Sequence, residues 1–282
     1  MSNSPIKLER IVVDPSKRRN FPDLKELLRY KDLFLVLAWR DLRVRYAQTF
    51  LGLAWTLIQP LATLAIMILI FSIGMNVESN GVPYPLFAFS GISVWTYFSF
   101  VLKESGNSVI GAGEMIKKIY FPRLVIPISK AVVGLVDYLV TLVLLSILMV
   151  WYQWIPGPEV IFLPILLVAT MISSLTIGIW ISALTIRYRD LKHIVPFLVQ
   201  FGLFATPVAY PSEIVIQRIP TWASTLYYLN PMAGVVDGFR WCLFGGSPPN
   251  ELAYVSYGVV AVLFVSSLFY FRKTERIMAD VI

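Results

Sequence analysis

Two ionisable side chains fall where an ionisable side chain is costly. Lys130 and Asp137 lie inside the apolar run from Leu124 to Trp151, and charged groups at bilayer depth invite a functional reading such as a proton or ion path. They are seven residues apart, nearly on one helical face. Lys130 sits only about 9 Å along such a helix from Leu124, within snorkelling reach of the interface. A structural pairing, including Asp137 with a polar group on another helix, is the alternative.

Other chemistry is sparse. His193 is the single histidine, beside Lys192 and Asp190, and reads as an interfacial or capping residue because no nucleophile or acid can be placed with it. Cys242 is the single cysteine, which excludes an intrachain disulfide and a cysteine-based metal site. No G-x-x-x-x-G-K-[ST] motif occurs, and Gly111-Ala112-Gly113 is followed by Ile116 rather than glycine, so neither a phosphate-binding loop nor a dinucleotide fingerprint is present. No metal or hydrolase constellation emerges and no cofactor is expected in this chain. If it does work driven by ATP, a partner hydrolyses the nucleotide.

The elements that position these residues are apolar helices. Hydrophobic residues make up 57% of the chain and charged residues 15%, against roughly a quarter charged in soluble domains. The class is an all-α polytopic membrane protein. The net charge of +7 reads as positive-inside bias rather than nucleic-acid binding. Of 24 Lys and Arg, 21 fall in residues 1–50, 103–123, 187–193 and 272–282, which places those segments and both termini in the cytoplasm. Six spans are expected: 51–73, 83–102, 124–151, 161–186, 194–210 and 252–271. No cleavable signal peptide is visible, so the first span is expected to direct insertion.

Residues 1–22 form a polar tail with the basic run Lys17-Arg18-Arg19. The stretch 23–50 reads as a cytoplasmic amphipathic helix lying in the membrane plane: Leu24, Leu27 and Leu28 repeat at helical spacing, and Asp41 and Arg45 form an i,i+4 pair. Its apolar part, residues 33–39, is too short to cross roughly 30 Å of hydrocarbon. Arg40, Arg43 and Arg45 are expected to reach water or phosphate. In the loop 103–123 a helix over about 108–120 is expected, ended by Pro122, with Lys117 and Lys118 near its C-terminus.

Parity constrains the segment 211–251. The fifth span ends outside and the sixth starts there, so this segment cannot cross an odd number of times. It still carries a helix: Asn230 as N-cap, Pro231 in the first turn, Gly245-Gly246 as the stop, and a stripe of Met232, Val235, Val236, Phe239 and Leu243. At about 14 residues and ~21 Å it lies on or dips into the outer leaflet. Gly234 and Gly238 permit close approach of a neighbouring backbone. Trp55, Trp95, Trp151, Trp154, Trp222 and Trp241 fall at span ends, as in an interfacial belt. Tyr97, Phe98 and Phe100 sit deeper in the second span. Phe197, Phe201 and Phe204 make one stripe in the fifth, read as helix packing or a path for a bulky amphipathic substrate.

Four stretches together resemble the integral-membrane permeases of ATP-binding-cassette exporters for bacterial cell-surface polysaccharides: O-antigen, capsule and teichoic acid. They are Trp39-Arg40-Asp41-Leu42-Arg43-Val44-Arg45-Tyr46 with Leu51-Gly52 and Trp55 to Pro60; Lys117-Lys118-Ile119-Tyr120-Phe121-Pro122-Arg123 before Pro127; Arg187-Tyr188-Arg189-Asp190-Leu191; and Tyr228-Leu229-Asn230-Pro231-Met232 through Gly238-Phe239-Arg240. The resemblance implies a permease in the bacterial inner membrane, working as two copies with two copies of a cytoplasmic ATPase that binds ATP and Mg. The substrate would be a polysaccharide linked to undecaprenyl diphosphate. Arg40, Asp41, Arg43, Arg45, Glu114, Lys117, Lys118, Phe121, Pro122 and Arg123 would couple to the ATPase. Tyr97, Phe98, Phe100, Phe197, Phe201 and Phe204 would line the sugar path. Asn230, Pro231, Asp237 and Arg240 would belong to short gate helices on the outer side. A drug or simple-lipid exporter shares this architecture. A membrane glycosyl- or acyltransferase would need the acid, base and nucleophile that are missing.

Overall fold

The computed structural model describes residues 21–47, 52, 54–276 and 278. The expected tail with Lys17-Arg18-Arg19 and the start of the first span at Leu51 lie outside the described residues. Among the described residues every regular element is a helix.

The chain opens with α1 (Leu24–Arg29), capped by Asp23, whose carboxylate accepts from the Lys25 N–H at 3.0 Å. α2 (Lys31–Tyr46) follows after a break at Tyr30. The single helix expected over 23–50 is thus two helices. The break has a tertiary cause: the Tyr30 hydroxyl donates to the Tyr120 carbonyl, and the Tyr120 hydroxyl donates to Glu26 at 3.2 Å, so α1 is tied to a distant segment.

α3 (Ala54–Gly74) contains Pro60 and winds as a π-helix from Ile68 onward. α4 (Tyr84–Gly111) is central: 78% of its most apolar window is buried, against 17% for α3. It runs nine residues past the expected end of the second span at Leu102. Lys103 and Glu104 do not break a helix, and close packing carries it on. Gly106 meets the Ile181 side chain, and the Ser105 hydroxyl donates to the Pro127 carbonyl at 3.0 Å. The chain breaks at Ala112, and a short α5 (Gly113–Lys118) follows. The helix expected over 108–120 is therefore divided, with its first turn belonging to α4.

α6 (Val125–Trp151) and α7 (Leu163–Arg187, preceded by a 3-10 turn over Pro158–Phe162) flank α4 along most of its length. At one α4/α7 crossing, a Cβ on Gly178 would stand 2.9 Å from the Cβ of Ser105. Small residues let helices approach where the surrounding lipid provides no hydrophobic drive. α8 (Leu191–Ala205) is 15 residues, about 22 Å at ~1.5 Å per residue. It ends at Thr206, which is extended ahead of Pro207. Three helices then follow, α9 (Ser212–Arg218), α10 (Thr221–Tyr227) and α11 (Pro231–Phe244). α12 (Ala253–Glu275) closes the fold against α7 and α11.

Among the described residues five helices are long and apolar enough to cross a membrane: α3, α4, α6, α12, and α7 together with its 3-10 turn. The segment expected as a fifth of six spans is the shorter α8 followed by the non-helical residues 206–210. α2, α5, the 187–190 turn and the end of α12 share the basic end of the bundle. α9, α10 and α11 gather at the opposite end.

Candidate functional site

At the basic end α2 lies against α6, and the charges of the two helices cross-pair. The Lys130 ammonium stands 2.8 Å from Asp41, and the Arg45 guanidinium 2.5 Å from Asp137. Asp137 also accepts from the Tyr46 hydroxyl and, at 3.2 Å, from the Thr56 hydroxyl on α3. Arg40 adds a contact to Asp41 at 2.9 Å. The expected pair within α2, Asp41 with Arg45, does not form; Asp41 pairs with Lys130 and Arg45 with Asp137, both on α6. Arg45 keeps an exposed side chain while its guanidinium lies 4.2 Å from the centre of the Phe100 ring. Arg40 and Arg43 stay exposed. Burial pushes the Asp41 carboxyl up, but the hydrogen bonds and charges of Lys130 and Arg40 outweigh it and hold the group below its usual range.

Beside this junction is a cleft of about 470 Å³ between α3, α4, α6 and α8. Arg45, Lys103 and Asp137 give it charge; Gln59, Gln200 and Thr63 give it hydrogen-bonding capacity; Trp95, Tyr97 and Phe100 give it aromatic surface. The expected path residues divide. Tyr97 and Phe100 line the cleft, although Tyr97 is otherwise built into the core, donating to the Ala131 carbonyl and stacking on Tyr138. Phe98 is buried against Trp95. Phe197, Phe201 and Phe204 lie on the exposed face of α8, away from the residues that line the cleft. Trp95 does not belong to an exposed belt: it is buried, and its indole fills the space a side chain at Gly202 would need, 2.7 Å from that Cβ position.

The residues expected to couple to an ATPase also divide. Glu114, Lys117 and Lys118 are exposed on α5, with a Glu114–Lys118 contact of 3.8 Å; such exposed pairs stabilise by well under ~1 kcal/mol. Phe121 and Pro122 are buried. Arg123 is engaged internally: its backbone N–H donates to the Glu275 carboxylate at 3.0 Å and its guanidinium to the Glu275 carbonyl, fastening the end of α12. His193 is exposed and Cys242 buried. Among the described residues no group of three or more His, Cys, Asp or Glu is arranged to hold a metal.

At the opposite end α11 has the expected bounds. The Asn230 side chain accepts from the Met232 N–H at 3.0 Å, Pro231 occupies the first turn, and Gly245 ends the helix at φ +70°. Asn230 also donates to the Thr206 hydroxyl at 2.8 Å, joining α11 to the end of α8. Arg240 is buried, 7% exposed. Its guanidinium donates to the carbonyls of Pro207 at 2.5 Å, Val208 at 2.6 Å, Phe87 at 3.3 Å and Tyr210 at 3.4 Å. It also lies 3.5 Å from the centre of the Phe87 ring. Gly91, Phe87, Thr206 and Ser256 complete this assembly with Tyr228, and the first four carry no separate signal in the sequence. A Cβ at Gly91 would stand 2.9 Å from both the Arg240 guanidinium and the Val208 carbonyl, so only glycine leaves room for the clamp.

Asp237 accepts from the Tyr228 hydroxyl at 2.9 Å. Burial, opposed by the charge of Arg240, pushes its carboxyl up to about 6. The folded state therefore binds this proton more tightly than the unfolded chain, and stability from this group falls as pH rises from about 4 through 6. The melting temperature of the detergent-solubilised protein is expected to be higher at pH 5 than at pH 7. Asp237→Asn should reduce that difference, and an unchanged difference would contradict the assignment.

The family described as "ABC-2 type transporter" matches residues 32–244. The chain is 28% identical over 256 residues to an O-antigen export system permease protein RfbA of Myxococcus xanthus, covering 89% of this chain and 96% of that protein. It is 27% identical over 252 residues to an RfbA of Klebsiella pneumoniae, covering 89% and 95%. It is 23% identical over 248 residues to the polysialic acid transport protein KpsM of Escherichia coli, covering 86% and 93%.

Proposed function

The chain belongs to the ABC-2 type transporter family, and from that premise we propose that it is the permease subunit of an exporter that carries lipid-linked surface polysaccharide across the bacterial inner membrane. The observation that carries the reading is the match along nearly the full length of permeases named for O-antigen export, with a polysialic acid transport protein matched over almost as much.

The site geometry supports the division of labour. The cleft combines cations with aromatic rings and amides, surfaces suited to a headgroup phosphate and to sugars. α8 with residues 206–210 is the sixth crossing, and its exposed aromatic stripe faces a second copy across a shared channel. α2 lies in the cytoplasmic interface, and both termini are cytoplasmic. α9, α10 and α11 are the outer gate, hinged on Asn230 and Arg240. ATP and Mg are bound by a separate ATPase, two copies to two permeases. α5 meets that ATPase through Glu114, Lys117 and Lys118, with Arg40 and Arg43 of α2 beside it, while Phe121, Pro122 and Arg123 support α5 from within the permease.

Two experiments test this. Deleting the chromosomal copy should abolish surface polysaccharide and accumulate the lipid-linked polymer on the inner side; unchanged surface display would reject the substrate. Lys117→Glu with Lys118→Glu reverses two exposed charges and no core contact. Export is expected to fall at least tenfold while the permease reaches normal membrane levels. Wild-type export in that variant would remove α5 from the ATPase contact.

A further inference from the structure

α2 is a helix held mainly by charge. Of its 16 residues only Leu37 and Ala38 are buried, while Leu35, Val36, Trp39 and Val44 are exposed. The charges that fasten it run in opposite order on the two helices: acid then base on α2, Asp41 and Arg45, facing base then acid on α6, Lys130 and Asp137. That order selects one register. Sliding α2 in one direction along α6 brings Arg45 toward Lys130, and sliding it the other way brings Asp41 toward Asp137. Either displacement sets like charges together, and like-charge juxtaposition is a strong device for fixing register.

Asp137 is also a node. It takes Arg45 and Tyr46 from α2 and Thr56 from α3, so three helices converge on one carboxylate. Arg45 and Asp137 both line the cleft, and α6 contributes Gly134, Tyr138 and Thr141 to the same wall. A helix with little apolar packing of its own is thus keyed, by side chains, to the helix that walls the cleft.

We propose that Lys130 and Asp137 are positioning residues that lock the register of α2 on α6, so that a displacement of α2 by the ATPase is delivered to the cleft wall. This rests on the reading that α2 meets a cytoplasmic ATPase. It assigns both membrane-embedded ionisable residues to mechanical coupling and neither to an ion path.

The test measures polysaccharide export and ATP hydrolysis together for the permease reconstituted with its ATPase. Lys130→Asp sets two acids face to face. Export per ATP hydrolysed is expected to fall at least tenfold, with hydrolysis within threefold of wild type. The swap Lys130→Asp with Asp41→Lys restores that one pair but leaves two bases on α2 facing two acids on α6, so that sliding no longer sets like charges together; it should restore assembly and leave the ratio at least threefold below wild type. Lys130→Met removes the charge with little change in volume and should give a smaller loss of the ratio. If Lys130→Asp lowers export only in proportion to assembled protein, leaving the ratio unchanged, the residue is merely structural and the proposal fails. It also fails if the swap returns the ratio to wild type, because pairing would then suffice without the order of the charges, or if Lys130→Met alone matches wild type in the ratio. A wild-type permease that shows no ATPase-dependent export would instead overturn the ATPase reading itself, before any variant is made.

Discussion

Arg240→Met is expected to leave little folded protein. The substitution keeps an unbranched apolar stem and removes the donors that four backbone carbonyls share, those of Phe87, Pro207, Val208 and Tyr210. These carbonyls come from the start of α4 and from the non-helical residues after α8, which Asn230 also ties to the start of α11 through the Thr206 hydroxyl. Burial pulls the guanidinium down to about 10, with the charge of Asp237 opposing that pull, so it remains charged at neutral pH. Leaving buried carbonyls without their donor costs about 1–3 kcal/mol each, and loss of the desolvated contact with Phe87 adds ~2 kcal/mol. The measurement is the yield and melting temperature of protein extracted in mild detergent. Arg240→Lys should recover less than half of the loss, because an ammonium group cannot span both pairs of carbonyls as the planar guanidinium does. A normal melting temperature for Arg240→Met would mean that the clamp does not hold the end of the bundle together.

Gly234→Leu is expected to separate α11 from α12. A Cβ at Gly234 would stand 2.6 Å from the carbonyl oxygen of Ala253 and 2.9 Å from the Cβ of Ser256. The first of these is backbone and cannot swing aside. The same approach carries polar contacts: the Gly234 N–H donates to the Ser256 hydroxyl at 3.2 Å, and that hydroxyl faces the carbonyls of Tyr228 at 2.8 Å and Asn230 at 2.9 Å. Overpacking alone costs ~1–3 kcal/mol, and the buried groups left unpaired add ~1–3 kcal/mol. Gly258→Leu on α12 is the control, because nothing lies within 4 Å of a Cβ there. The first variant should lose most of its folded yield and the second should behave as wild type. Equal behaviour of the two would show that α11 and α12 are not held at this distance.

Much of the helical framework was legible residue by residue. The apolar runs behind α6, α7 and α12 announced themselves by length and composition, since a bilayer crossing demands about 20 apolar residues and few soluble helices meet that demand. α11 was legible down to its ends, because an Asn N-cap, a first-turn proline and a terminal glycine act on their own backbone within a few residues. The close backbone approach at Gly234 was legible for a related reason, since a missing side chain is a local statement about available space; at Gly238 it is the Tyr257 and Leu166 side chains, not a backbone, that take the room.

The helix ends at the basic end were not legible, because distant contacts decide them. Nothing near Leu102 says that α4 continues; Ile181 and Pro127 say so from other helices. The break at Tyr30 is made with Tyr120, and the fate of Arg123 with Glu275. Phe98 and Trp95 looked like candidates for a path or a belt because an aromatic residue reads alike whether it packs or binds; only the neighbours that bury them separate the two.

The charge pairs show the division most clearly. By itself the sequence determined that this chain is a bundle of membrane helices, where α11 starts and stops, and that Lys130 and Asp137 share a helical face, since each follows from hydrophobic run length or from interactions within about one turn. Only the tertiary structure decided that Asp41 belongs to Lys130, Arg45 to Asp137, and Arg240 to carbonyls as far as 153 residues earlier in the chain. An ion pair or a clamp is specified by which helices lie side by side. That choice is made by packing summed over the whole bundle, and no local window of sequence contains it.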